Sequence, residues 1–184
     1  MIPYTPLRIS TPDRVLGNAP SGWKGLESIL GDLVDRFCKG RHIACELGVE
    51  FGYSTVALSN FFDHVIGVDR FTGDVHSSIR LDYSDKTRGF LKDFPNITLV
   101  KSEWKDFADL QPESVHYDLC HVDIEHSYEE TFPCGMWAAQ HSDVTIFHDT
   151  RSFHEVMRAV TDIAEKTGKE FYEFSDFCGL GILV

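Results

Sequence analysis

Apolar residues return every three or four positions from Trp23 onward. Leu26, Ile29, Leu30, Leu33, Val34 and Phe37 share its face, which predicts an amphipathic helix ending near Gly40. Beyond Gly40 the rhythm changes. HIACELGV (42–49), HVIGVDR (64–70), ITLVKS (97–102), YDLCHVD (117–123) and VTIFHD (144–149) read as strands, and the first, second and fifth are apolar almost throughout, as parallel strands covered on both faces should be. Helical patterns fill the gaps, over 54–62, 83–94, 104–110, 127–141 and 152–166. Two of these segments open on a Ser-x-x-Glu capping box, Ser127 with Glu130 and Ser152 with Glu155. Pro133 lies deep in the fourth helix and predicts a kink or a late start. EFYEF (170–174) and CGLGILV (178–184) read as two closing strands joined tightly.

Strands alternating with helices predict a single doubly wound, Rossmann-like α/β domain over 23–184. Its sheet is expected to be seven-stranded and mostly parallel, with an antiparallel C-terminal edge strand and helices on both faces. Residues 1–22 hold four of the seven prolines and little periodicity, and are expected to form an irregular arm.

Composition narrows the partners. The chain has 184 residues, 42% of them hydrophobic, which suffices for one core and leaves little room for a second domain. Lys and Arg number 17 against 29 Asp and Glu, a net charge of -12 with no basic run, so a nucleic-acid partner is not expected. No apolar run approaches the ~20 residues of a bilayer span. The opening MIPYTPLRIS has no charged flank leading into an apolar block, so a cytoplasmic location without membrane contact is expected. Cys38, Cys45, Cys120, Cys134 and Cys178 are odd in number and scattered, without a CxxC pair, and are expected to be buried reduced thiols.

In doubly wound sheets ligands bind beyond the carboxyl ends of the strands, near the switch in strand order. The first strand runs into Glu46-Leu47-Gly48-Val49-Glu50-Phe51-Gly52-Tyr53-Ser54. Glycines four apart before a helix start let the backbone turn sharply and approach a ligand, and the free N–H groups there would favour a carboxylate. The second strand ends at Asp69, placed to accept hydrogen bonds from ribose hydroxyls. Two further strands end in His121-Val122-Asp123 and His148-Asp149, with Glu125 and His126 opening the helix after the first. Such a set can hold a divalent cation through oxygen and nitrogen or move protons.

ELGVEFGYST followed by GVDRF resembles the cofactor-binding start of class I S-adenosylmethionine-dependent methyltransferases. The likeness extends to a small single-domain family, methyltransferase domain family 24. Its D-x-x-x-G-D-x-H stretch is matched by Asp69 to His76, its H-[IV]-D-x-x-H-[ST]-Y-E by His121 to Glu129, its F-H-D-T by Phe147 to Thr150, and its closing G-L-G-[VI]-L by Gly179 to Leu183. Ile124 departs from the family, which often has glycine there, and narrows the space beside Asp123.

The resemblance implies methyl transfer from S-adenosyl-L-methionine to a hydroxyl oxygen of a small, sugar-like molecule. It places the cofactor against Gly48, Gly52, Tyr53, Ser54, Asp69 and Asp123, with Glu46 near the methionine amino group and Ser102, Glu103 and Trp104 beside the adenine. Asp123, His148 and Asp149 would hold Mg²⁺ or a similar ion, with His126 as the alternative imidazole ligand, and Asp74 and His76 would meet the acceptor. His126 is the preferred general base because a free imidazole titrates near neutrality, with Glu125 and His148 as alternates. Its place before the Ser127 cap disfavours the imidazolium, while Glu125 and Asp123 favour it. The arm, the 71–82 loop or a partner subunit of a homo-oligomer would complete the pocket. A metal-dependent hydrolase and a binding module without turnover are the rival readings.

Overall fold

Alternation along the central strands explains how two helical layers are held by one sheet. In the computed structural model, which describes residues 1–73 and 81–184, Ala44, Leu119 and Ile146 face one layer and their neighbours Cys45, Cys120 and Phe147 the other. The elements run β1 (Ile2–Pro3), α1 (Glu27–Phe37), β2 (Ile43–Leu47), α2 (Tyr53–Leu58), β3 (His64–Asp69), α3 (Ser84–Leu91), β4 (Ile97–Lys101), α4 (Trp104–Asp109), β5 (Tyr117–Val122), α5 (Tyr128–Gln140), β6 (Ser142–His148), α6 (His154–Thr167), β7 (Phe171–Phe174) and β8 (Leu180–Leu183). Leu30, Leu33, Ala57 and Leu58 of α1 and α2 cover the first face, while Phe107, Cys134, Val156 and Ile163 of α4, α5 and α6 cover the second. Burial of such side chains stabilises by roughly 1.5–3 kcal/mol each, the main driving force for joining the layers.

The strand order is β1-β7-β8-β6-β5-β2-β3-β4. From β2 the chain winds outward through β3 to β4, then returns to β5 on the other side of β2 and continues to β6. The switch point therefore lies between β2 and β5, which pair in parallel register. Among the described residues only β8 is reversed; it lies between β6 and β7, inside the margin where an edge strand was expected.

Several local expectations change. The sheet gains an eighth strand from the arm, since Ile2 and Pro3 pair in parallel with Tyr172 and Glu173. The stripe starting at Trp23 is buried, but α1 begins only at Glu27, because Gly25 adopts φ +108, outside helical geometry. The helix α5 starts at Tyr128 and runs through Pro133, with no late start. Ser127 caps it by accepting from the Glu130 N–H, but the Glu130 carboxylate turns to Trp104 and Lys105, so only half of that capping box forms. The Ser152 box does not form, because the cap position of α6 is Phe153. Among the described residues no helix is long and apolar enough to cross a membrane.

Candidate active site

The carboxyl ends of β2, β3, β4, β5 and β6 open into one cleft of about 570 Å³. Gly48, at the end of β2, has φ +93, and a side chain there would overlap the Asp123 carbonyl, so only glycine lets the two strand ends meet at the switch point. The following turn is held from β3. Asp69 Oδ2 accepts from the Val49 and Glu50 N–H groups at 2.8 Å each, and Oδ1 accepts from Phe71 N–H at 2.5 Å. Two N–H groups of the glycine loop are thus engaged by Asp69. With roughly four acceptor sites on a carboxylate, one remains for an outside hydroxyl.

Ser54, Ser102, Glu103 and Trp104 also line the cleft, as does Asp69. The Trp104 indole N–H donates to Glu130 Oε2 at 3.1 Å, and Lys105 Nζ pairs with Glu130 Oε1 at 2.9 Å, which fixes this wall to α5.

The opposite wall carries the chemistry. Asp123, Glu125, His126, His148 and Asp149 all border the cleft. His126 Nε2 lies 2.9 Å from Asp149 Oδ2 and 3.5 Å from Asp123 Oδ1, while His148 Nδ1 lies 3.2 Å from both Asp123 Oδ2 and Asp149 Oδ2. The His126 ring stacks on Phe153 at 4.2 Å between centroids. Asp149 holds its place at φ +63, a strained backbone for an aspartate, which turns its carboxylate back to both rings. Burial acts to lower the His126 pKa, but Asp123 and Asp149 outweigh it and raise it to about 9. The same contest raises His148 to about 10. Burial acts to raise both acids, yet the imidazoles hold Asp123 well below the carboxylate range and bring Asp149 to about 2. At neutral pH this is a balanced quartet of two imidazoliums and two carboxylates. The contest that the sequence leaves open at His126, helix cap against nearby acids, thus goes to the acids, Asp123 and Asp149.

Three of these side chains form a donor set for a cation. Asp123, His126 and Asp149 each offer a ligand atom, all within 4.8 Å of one another, so the imidazole grouped with both acids is His126, the second of the two the sequence offered. Two carboxylate oxygens and one imidazole nitrogen suit a divalent ion with water in its shell.

Three predicted residues do not reach the cleft. Glu46 is fully buried within β2, two residues from Ala44 and on its face, so the pleat turns it under α1 and α2. There it meets His121, whose Nδ1 lies 2.8 Å from Glu46 Oε1, and accepts from the Thr55 hydroxyl. His121 itself takes the Trp23 indole N–H on Nε2 at 3.1 Å, which assigns the proton to Nδ1 and withdraws this ring from the cleft. Gly52 caps α2 at φ +85 and packs where a side chain would meet Leu91, and Tyr53 is buried beneath Lys24. Asp74 and His76 lie outside the described residues. The cleft also draws on Ser21 and Gly22 of the arm, which no periodicity signalled.

No protein-family model and no curated protein sequence matches the chain. Solved structures do. A Bacillus cereus O-methyltransferase in complex with S-adenosylhomocysteine superposes with a TM-score of 0.62 at 13% identity, covering 91% of this chain and 85% of that one. A Staphylococcus aureus protein described as a caffeoyl-CoA O-methyltransferase gives a TM-score of 0.65 at 11% identity, covering 91% and 86%. Aeropyrum pernix fibrillarin with natively bound S-adenosyl-L-methionine gives a TM-score of 0.56 at 12% identity, covering 79% and 67%. The fold is the Rossmann-like methyltransferase fold.

Proposed function

We propose that the protein transfers a methyl group from S-adenosylmethionine to a hydroxyl oxygen of a small polar molecule. The observation that supports this reading is the division of one cleft into two unlike halves. Gly48, Asp69 and Trp104 form a half suited to a nucleoside, and Asp123, His126, His148 and Asp149 a half suited to proton transfer. The cofactor fits the residues present: Asp69 keeps an acceptor site for a ribose hydroxyl, and Ser102, Glu103 and Trp104 flank the adenine side. Bound S-adenosylmethionine supplies an already activated methyl, so the chain has to align the acceptor and take its proton.

The quartet serves that second task. A divalent cation on Asp123, His126 and Asp149 would supply Lewis acidity to an acceptor hydroxyl. In the ion-free quartet His126 must first lose its proton before accepting one, so base catalysis by His126 requires that its hold on the two acids be loosened. Glu125, on the same wall, is the alternative acceptor.

Calorimetry with S-adenosylhomocysteine, with and without Mg²⁺, followed by a labelled-methyl screen of hydroxylated acceptors, tests the reading. Binding of S-adenosylhomocysteine and label transfer lost in His126→Ala support it. Absence of S-adenosylhomocysteine binding to the folded protein removes it.

A further inference from the structure

The expectation that all five cysteines are buried fails at one position. Cys45, Cys120 and Cys134 are buried and Cys38 is partly so, but Cys178 is exposed. It is also placed. Cys178, His148 and Asp149 each present a ligand atom, all within 4.8 Å of one another.

We propose that Cys178, His148 and Asp149 form a second metal site, selective for a thiophilic divalent cation such as Zn²⁺ and distinct from the hard-ion set of Asp123, His126 and Asp149. His148 carries the argument. The residue is 5% exposed, and its Nδ1 is committed to the two carboxylates at 3.2 Å. Its Nε2 is buried and has no hydrogen-bond partner among the described residues. An imidazole that gives its Nδ1–H to a carboxylate while Nε2 has no hydrogen-bond partner is arranged as metal-ligating histidines are; a bound cation would take the place of the Nε2 proton that the ion-free quartet retains, releasing it to solvent, while the carboxylate fixes the ring. Asp123 fills that supporting role here.

The donor chemistry then separates the two sites. Replacing one of two carboxylates by a thiolate shifts preference from Mg²⁺ toward zinc-like ions, which accept sulfur, nitrogen and oxygen in a tetrahedral shell. Three protein ligands leave a fourth position for water. Cys178 stands on the solvent side and gives an ion its entry, while the other two ligands are largely enclosed. Its loop is held for the purpose: the Cys178 carbonyl accepts from Arg151 and Ser152 N–H at 2.9 and 3.2 Å, which anchors it to the segment just after Asp149. Phe177 and Cys178 hold φ +52 and +71, strained values for residues with side chains. Asp149 belongs to both donor sets, so the two sites communicate, and an ion on the soft site alters the carboxylate available to the hard one.

The test uses the full chain and Co²⁺ as a spectroscopic stand-in for Zn²⁺. Titration should give a thiolate-to-cobalt charge-transfer band in the near ultraviolet, and Zn²⁺ should bleach it. Cys178→Ser should abolish the band and weaken Zn²⁺ binding by about 10-fold or more, since even losing an outer partner of a metal ligand typically costs that much. Cys178 is exposed, so this variant should fold, and its response to Mg²⁺ should match the parent's. His148→Gln should weaken Zn²⁺ binding while keeping a free thiol, which separates coordination from simple thiol capture. Absence of the band in the parent, or a band of equal strength in Cys178→Ser, overturns the proposal. Equal Zn²⁺ affinity in parent and Cys178→Ser does the same.

Discussion

Asp149 shows what a single backbone angle decides. At φ +63 its carboxylate faces His126 and His148 at once, and with Asp123 it converts two ordinary histidines into imidazoliums near neutrality. The sign of the pH dependence follows. Both histidines have folded-state pKa values above the ~6.5 of an unfolded chain, so their contribution to stability is full below pH about 6.5 and is lost as pH rises through 9 to 10. Asp123 and Asp149 are depressed, so theirs is present above pH about 4 and is lost as pH falls toward 2. Without added metal, the thermal midpoint should fall between pH 6.5 and 10, more in the parent than in His148→Gln, and histidine NMR titrations should place two rings well above the free value. Two rings titrating near 6.5 would contradict the quartet. At this scale the sequence was half legible. Asp123, His126, His148 and Asp149 stood out because they cluster at strand ends, yet the sign of their charges depended on distances no spacing encodes. His121 misled for a related reason: its alternation with Asp123 holds only while the strand continues, and β5 stops at Val122.

At the scale of elements, the turn from β2 into α2 was the most readable part of the chain, and its mechanism was the least. Gly48 and Gly52 stand out in the sequence as a pair, but they serve different neighbours: Gly48 lines the cleft and makes room for the Asp123 carbonyl, while Gly52 stays outside the cleft and makes room for Leu91 of α3. Asp69 does more than wait for a ligand. It ties the loop to β3 through the Val49 and Glu50 N–H groups and holds its own turn through that of Phe71. Asp69→Ala should therefore cost both stability and affinity, lowering the denaturant midpoint and weakening S-adenosylhomocysteine binding about 10–100-fold. Calorimetry under conditions where the variant is folded separates the two effects; unchanged affinity would leave Asp69 as a loop brace alone. Gly48→Ala carries both a positive φ and a backbone overlap, and should destabilise by at least ~1–3 kcal/mol, the usual range for forced overpacking. Denaturant unfolding measures it, and a midpoint equal to the parent's would mean that β2 and β5 can part at no cost. Capping was only partly legible, because the Glu130 carboxylate answers to tertiary partners, Trp104 and Lys105, rather than to local spacing, and the cap position of α6 falls on Phe153, one residue beyond Ser152.

Across the whole molecule the arm is the part that patterning undervalued. Many of its contacts are polar and long-range, which hydrophobic periodicity cannot report, and its buried apolar residues, Tyr4 and Ala19, lie too far apart to show a period. Tyr4, Leu7 and Arg8 bind the carboxylate of Asp32 on α1, and Arg14 binds Asn60 and Asn96 beyond α2 and before β4. Ser21 and Gly22 then reach the cleft, and Trp23 ends the path between two histidines, with its ring centroid 5.2 Å from His121 and 6.4 Å from His148. The arm thus runs from the β1 margin of the sheet to the back of the quartet. The tie at its end is one hydrogen bond, from the Trp23 indole to His121 Nε2, inside a chain that continues to Glu46 and Thr55 with no water-facing member. Trp23→Phe keeps the ring and removes the donor, leaving a fully buried imidazole nitrogen without its partner. The expected cost is ~1–3 kcal/mol, the penalty for one buried polar group left unmatched, on top of any loss of packing. Trp23, His121 and Glu46 do not line the cleft, so S-adenosylhomocysteine affinity should stay close to the parent's while the denaturant midpoint falls. If the midpoint holds, the arm is fastened by its Asp32 and Arg14 contacts alone; if affinity collapses in step with stability, the buried chain positions the cleft as well as the arm.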